Sequence, residues 1–382
     1  MKVPFNKITQ TKRSLKDVEK SIKSGYISGD HKYTKLVEEI IRVKFSSNLS
    51  LLTSSCTASL EIAALLSNIK VGDEVIMPSF TFSSTANAFV LRGAKIIFVD
   101  INMDNLNINE KLIIEAISPR TKAIVLVHYA GTCCDIDIVK KICIEKKIIL
   151  IEDAAQSFNS FYKNKPLGTI GDFGAISFHE SKNITCGEGG LLFVNKTKHH
   201  SRAKIIREKG TNRSAFFEGT VKKYNWVDIG SSFLMSDINA AFLKNQIEIS
   251  DKLTKQRVIA WEYYLKSLTN YSDFFRLPKI MNYSKHNGHI FYIILNNIIN
   301  RDWVIKYLKS RGIVAHFHYI PLHSSPFGKV IAATNRKLTN TETVSKKIIR
   351  LPIWSGIKKL EQDFVIENLI QAIKSFLAQN NN

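Results

Sequence analysis

Short β-branched runs alternating with helix-length segments predict an α/β protein. The runs AKIIFVD (Ala94–Asp100), AIVLVHYAG (Ala123–Gly131) and KIILIEDAAQ (Lys147–Gln156) are apolar throughout rather than alternating, as expected of parallel strands covered on both faces. After Asn245 the pattern changes to a long amphipathic helix followed by mixed strands and helices. This predicts a large domain over 1–245 and a smaller α+β domain over 246–382. At 382 residues and 45% hydrophobic content, the chain is long enough for two or three structural units.

In chain order, Tyr33–Phe45 predicts an amphipathic helix with Leu36, Val37, Ile40 and Ile41 on one side, and SGYISGD (Ser24–Asp30) a loop. Leu51–Leu66 runs small hydroxyl residues into a strong helix former. The start of such a helix carries unpaired N–H groups that suit a phosphate, here around Cys56 and Thr57. In Gly72–Phe89 a turn leads to a strand and then a helix from Ser84, with Phe82 at the strand's end, where an aromatic ring can stack on a flat ligand.

Ligands of parallel sheets bind beyond the carboxyl ends of the strands. His128, Asp153 and Gln156 all fall at such ends, whereas Glu152 points to the opposite face by the two-residue period. The next segment, SFHESKNITCGEGG (Ser177–Gly190), reads as strand, loop and strand with Lys182 at the apex. A loop lysine with a carboxylate at a strand end suits pyridoxal phosphate chemistry. The lysine forms the Schiff base, and Asp153 keeps the pyridine nitrogen protonated.

Beyond it, AKIIREKGTNRSAFFEG (Ala203–Gly219) is a basic helix end and loop. Ile247–Leu268 is the long helix, His289–Leu295 a strand, Trp303–Ser310 a helix, and Gly312–His323 a strand then a loop. His316, His318 and His323 invite a zinc site, but no acidic partner or HExxH accompanies them, and no metal is expected.

The net charge of +21 raises the possibility of nucleic-acid binding. The lysines are spread through the chain, however, and no arginine-rich arm, zinc-finger spacing or aromatic–basic signature accompanies them, so no nucleic-acid partner is expected. Five scattered cysteines without a CxxC pair argue against a disulfide framework. The opening MKVPFNKITQTKRS has no apolar signal core, and no stretch reaches the length of a membrane span. A cytoplasmic protein without a membrane partner is therefore expected.

PSFTF, EDAAQ and SFHESKN, in this order, resemble the DegT/DnrJ/EryC1/StrS sugar-nucleotide aminotransferases, and the likeness extends from Pro4 to LPIW at Leu351. It implies PLP fold type I, with a mostly parallel seven-stranded type of sheet, and a homodimer with shared active sites. By this resemblance Lys182 is the catalytic lysine. Cys56-Thr57 (usually Gly-Thr) and Ser177 hold the cofactor phosphate, Phe82 stacks on the ring, Asp153 meets its nitrogen and Gln156 its hydroxyl. Ser232 replaces the asparagine that reaches a neighbouring subunit's cofactor. His128, Asn183, Arg207, Arg213, Tyr319 and His323 are candidate substrate contacts.

The resemblance further implies transfer from L-glutamate to dTDP-4-dehydro-6-deoxy-D-glucose, yielding the 4-amino-4,6-dideoxygalactose, and a positive field would help capture such a dianionic substrate. Amination at C3, the opposite C4 configuration, a sugar dehydratase and a catalytically silent protein on the same fold remain as alternatives. No arginine stands out as a clamp for the amino donor's carboxylate.

Overall fold

The computed structural model describes residues 1–333 and 336–380. Its strands are β1 (Ser50–Thr53), β2 (Glu74–Pro78), β3 (Lys95–Val99), β4 (Thr121–Val127), β5 (Ile149–Asp153), β6 (Phe161–Tyr162), β7 (Lys165–Pro166), β8 (Phe173–Ser177), β9 (Gly190–Val194), β10 (Phe275–Arg276), β11 (Ser284–Lys285), β12 (Phe291–Leu295) and β13 (Ile348–Leu351). The helices are α1 (Lys12–Lys23), α2 (Lys32–Phe45), α3 (Cys56–Leu66), α4 (Ser83–Val90), α5 (Glu110–Ala116), α6 (Ile136–Lys146), α7 (His200–Arg207), α8 (Arg213–Phe217), α9 (Asp237–Glu248), α10 (Ser250–Leu268), α11 (Arg301–Ser310), α12 (Pro326–Ile331), α13 (Thr339–Lys347) and α14 (Lys359–Asn380).

The large sheet has seven strands in the order β1-β9-β8-β5-β4-β2-β3, and β9 alone runs against the rest. Its strands are apolar throughout because both faces are buried. Val75, Met77, Val125 and Ile151 pack on one side with α3 and α4, while Ile76, Ile124, Leu126 and Leu150 pack on the other with α5 and α6. The register sets Val127, Asp153 and Ala175 level across β4, β5 and β8, so the residues that follow emerge along one edge.

A second core surrounds the three-stranded sheet β10-β12-β13, packed by α10, α11 and α14. Val3 belongs to this core. It pairs with Ile313 in an isolated bridge, so the smaller unit also takes in residues from the start of the chain.

Three local readings need correction. In α2 the core face is Tyr33, Val37, Ile41 and Phe45, and Leu36 is exposed. The long helix at 247–268 is broken at Ile249 into α9 and α10, because α9 packs against α1 and α2 while α10 joins the second core. Gly312–His323 forms no strand. Only Ile313 and His316 make bridges, to Val3 and Arg350, and the rest is loop up to the 3-10 turn at Leu322–Ser324.

Candidate active site

A cavity of about 620 Å³ opens at the carboxyl ends of β4, β5 and β8. This lies within the range of roughly 300–1,000 Å³ usual for small-molecule sites. Cys56, Thr57, Phe82, His128, Asp153, Gln156, Ser177, Lys182 and Tyr319 line it together.

The two-residue period along β5 separates the two neighbouring acids. Glu152 turns away from the cavity and accepts hydrogen bonds from the Gly168, Ile170 and Gly171 amides at 2.7–2.8 Å and from His128 Nε2 at 2.8 Å. Burial pushes its carboxyl up, but His128 and these amides more than offset that and hold it below its ordinary value. Asp153 faces the cavity. Its carboxylate accepts from Thr85 Oγ1 at 2.6 Å and from the Ala155 amide at 3.2 Å. Burial raises its pKa against these donors and against the charge of Lys182. Among the described residues it has no salt bridge, so the carboxylate is suited to a cationic ring nitrogen.

Lys182 lies in the loop between β8 and β9, where its amide donates to the His179 carbonyl at 2.9 Å. Burial lowers its amine's pKa, against the opposing pull of Cys56 and Asp153. The glycines beyond it act by different means. Gly187 has φ +87°, whereas Gly190 is needed for close approach. A Cβ there would lie 2.3 Å from the Ser55 carbonyl and 2.5 Å from the Cys56 nitrogen.

The start of β9 therefore rests directly on the N-terminus of α3. Ser55 caps that helix, accepting from the Ala58 amide at 3.1 Å, while the first-turn amides of Cys56 and Thr57 have no intrahelical acceptor. Thr57 Oγ1 bonds Ser84 Oγ at 2.9 Å, and Ser177 lies at the end of β8 on the same cavity. Helix amides, the hydroxyls of Ser55, Thr57 and Ser177, a lysine of lowered pKa and a buried carboxylate with no salt bridge among the described residues form a set of groups that fits pyridoxal phosphate. His128 Nδ1, buried and without a hydrogen-bond partner among the described residues, adds one more polar atom in the cavity wall.

Other sequence candidates lie differently. Gln156 accepts from the Ala130 amide at 2.7 Å and donates to Tyr319 Oη at 2.9 Å, tying the sheet's edge to the 312–323 loop. Asn183 does not line the cavity; it donates to the Asn287 carbonyl at 3.0 Å and meets His289 Nδ1 at 2.8 Å. Arg207 is buried away from the cavity among Glu38, Asp30 and Glu208, and Arg213 pairs with Asp30 and Glu208. His323 meets Ser79 Oγ at 2.7 Å and Glu342 at 3.3 Å, also outside the cavity. Ser232 is exposed on a bridge to Glu208 and does not line its own chain's cavity.

Sequence reasoning missed Thr85, Arg257 and Arg350 and weighed His318 only as a zinc ligand; all four line the cavity. For Arg350 a signal was available, a charged residue inside the apolar run IIRLPIW. Among the described residues no group of three or more His, Cys, Asp or Glu side chains could hold a metal, and no helix is long and apolar enough to cross a membrane.

The sequence matches the DegT/DnrJ/EryC1/StrS aminotransferase family over residues 9–370. This chain belongs to that family. An uncharacterized protein of Methanocaldococcus jannaschii is 35% identical over 374 residues, covering 96% of this chain and 95% of the relative. The Helicobacter pylori aminotransferase PseC, involved in pseudoaminic acid biosynthesis, superposes with a TM-score of 0.90 at 24% identity, covering 98% of this chain and all of the other. The Escherichia coli GDP-4-keto-6-deoxy-D-mannose-3-dehydratase, with bound hydrated PLP, gives 0.89 at 22%, covering 97% and 99%.

The architecture is that of the type I PLP-dependent enzymes, and the chain is a PLP-dependent enzyme of an aminotransferase family. Solved structures of this fold carry the cofactor in both its PLP and PMP forms.

Proposed function

We propose that this aminotransferase converts dTDP-4-dehydro-6-deoxy-D-glucose and L-glutamate to dTDP-4-amino-4,6-dideoxy-D-galactose and 2-oxoglutarate. It would act as a cytoplasmic homodimer supplying surface-glycan synthesis, such as that of enterobacterial common antigen or O-antigen. The observation that carries the transamination reading is the meeting of Lys182 and Asp153 on one cavity. The sugar and its stereochemistry rest on the sequence resemblance.

When bound, pyridoxal phosphate supplies an aldehyde that takes up the amino group and a ring that withdraws electrons. Asp153 holds a proton on the ring nitrogen, and Thr85 keeps that carboxylate oriented. The α3 amides with Ser55, Thr57 and Ser177 would hold the cofactor's phosphate, and Phe82 at the cavity rim would offer an aromatic face to the ring. Gln156 would meet the ring hydroxyl, and Ser232 would reach the phosphate held by a second subunit. Lys182 Nζ is more readily neutral than an exposed lysine, because burial lowers its pKa. It removes the proton from Cα of the donor and, in the second half-reaction, delivers one to C4 of the sugar. Ping-pong kinetics follow. The likeness to the dehydratase is one of fold, and Lys182 favours transamination because the dehydratases resembling this family carry histidine there.

The test is incubation of the purified protein with PLP, L-glutamate and dTDP-4-dehydro-6-deoxyglucose, with the product determined by NMR. An axial C4 amine is expected. An equatorial C4 amine, or an amine at C3, would move the enzyme to a sister specificity. No amino sugar from a PLP-loaded enzyme would overturn the assignment.

A further inference from the structure

Two buried arginines and a third that is partly buried face different fates. Arg207 is surrounded by the carboxylates of Glu38, Asp30 and Glu208. Arg257, on the cavity wall, gives its Nε to the Gly288 carbonyl at 3.2 Å and an Nη to the His289 carbonyl at 2.8 Å. Arg350, on the same wall, has no such partners. It forms no salt bridge among the described residues, and its Nε is buried without a hydrogen-bond partner.

Its backbone is held on both sides, by Tyr292 of β12 and by His316, whose carbonyl accepts from the Arg350 amide at 2.7 Å. The guanidinium lies 4.7 Å from the centroid of the Phe5 ring. A positioned cation that lacks a counter-ion and faces a cavity calls for an anionic ligand. Burial lowers its pKa, with Tyr129 and Tyr319 the ionisable groups opposing that effect.

We infer that Arg350 is the anchor for the α-carboxylate of the amino-acid donor. The inference rests on the aminotransferase reading of this cavity. Two anions could enter, the donor's carboxylate and the diphosphate of the nucleotide sugar, and position favours the first. The α-carboxylate is attached to the very carbon that Lys182 must deprotonate, so its anchor has to lie near that lysine. Arg350 and Lys182 line the same cavity. A diphosphate is separated from the reacting C4 by the sugar ring and belongs farther out. The planar fork of an arginine also matches a carboxylate in two parallel hydrogen bonds, which a lysine cannot reproduce.

The two half-reactions test this separately, on PLP-loaded enzyme with L-glutamate alone and on the amine form with the sugar nucleotide alone. For Arg350→Gln, the glutamate concentration giving half-maximal conversion should rise about 100-fold, as expected on losing a desolvated charge partner. Arg350→Lys should be intermediate, and the sugar half-reaction should stay within about threefold of wild type. Preference for L-glutamate over 4-aminobutyrate, which lacks the α-carboxylate, should collapse in Arg350→Gln. Calorimetric binding of glutarate to the holoenzyme should weaken in parallel.

A retained sugar half-reaction doubles as the control for folding. Loss confined to the sugar half would assign Arg350 to the diphosphate and overturn the inference, as would an unchanged glutamate half. The donor half needs no sugar, so a wrong sugar assignment leaves this test standing.

Discussion

Thr85 shows how one hydroxyl governs the chemistry of a buried acid. Its Oγ1 donates to Asp153 at 2.6 Å and is itself 2.8 Å from Thr81 Oγ1. Burial already raises the pKa of Asp153. Thr85→Val keeps the shape and removes the donor, so the carboxylate should protonate at still higher pH. The acid limb of the pH–rate profile should therefore move upward, with a stability loss of about 1–3 kcal/mol in denaturant melts. A limb that stays in place would show that Asp153 is not the titrating group. Neither Thr85 nor its bond was legible in SSTANAF, because a hydroxyl at the start of a helix reads as a cap and its partner lies 68 residues away.

Between elements, α3 and β9 define the phosphate side of the cavity by direct backbone approach. Gly190→Ala should push the first turn of α3 away from β9, because the nearest atoms are backbone and cannot rotate aside. Overpacking of this kind costs about 1–3 kcal/mol, and PLP affinity in a fluorescence titration should fall on the order of tenfold or more. Unchanged affinity would remove α3 from the cradle.

The join between α7 and α2 is ionic. Arg207 at the end of α7 bonds Glu38 of α2, and burial raises the Glu38 carboxyl despite Arg207. Arg207→Ala strands buried acids and should cost about 3–5 kcal/mol in urea melts, while kcat per folded molecule is kept. A raised sugar KM at undiminished stability would instead restore Arg207 as a substrate contact. The run KIIREKG reads as a solvated basic helix end because nothing local reveals that Glu38 will cover it.

The chain around residues 284–289 is one of the places where the two cores meet, beside the apolar cluster of Phe80 and Tyr129 with Tyr292 and Ile348. Ser284 and Lys285 pair with β6, and Asn287 donates to the Gln156 and Phe158 carbonyls at 2.9 Å. His286 lies 4.4 Å from Trp261 between ring centroids, and burial brings its pKa from 6.5 down to about 4. As pH falls through 6.5 the unfolded chain takes up this proton, while the folded chain resists until about 4. This group therefore lowers stability on acidification across that window. His286→Asn should reduce the loss of Tm between pH 6.5 and about 4 relative to wild type. An identical slope would place the acid sensitivity in other groups.

Much of this molecule follows from local pattern. Continuous β-branched runs demand a sheet covered on both faces, and the two-residue period assigns Asp153 and Glu152 to opposite sides. Motif order places Lys182, Asp153 and Gln156 at strand ends that a parallel sheet must align. The partners of polar side chains obey no such period. His323 meets Ser79 across 244 positions, Arg207 meets Glu38 across 169, and Arg350 faces the cavity only because β13 pairs with β12. Hydrophobic periodicity records which face of an element is buried, whereas a charge becomes a structural link or a ligand contact according to what distant chain packs over it.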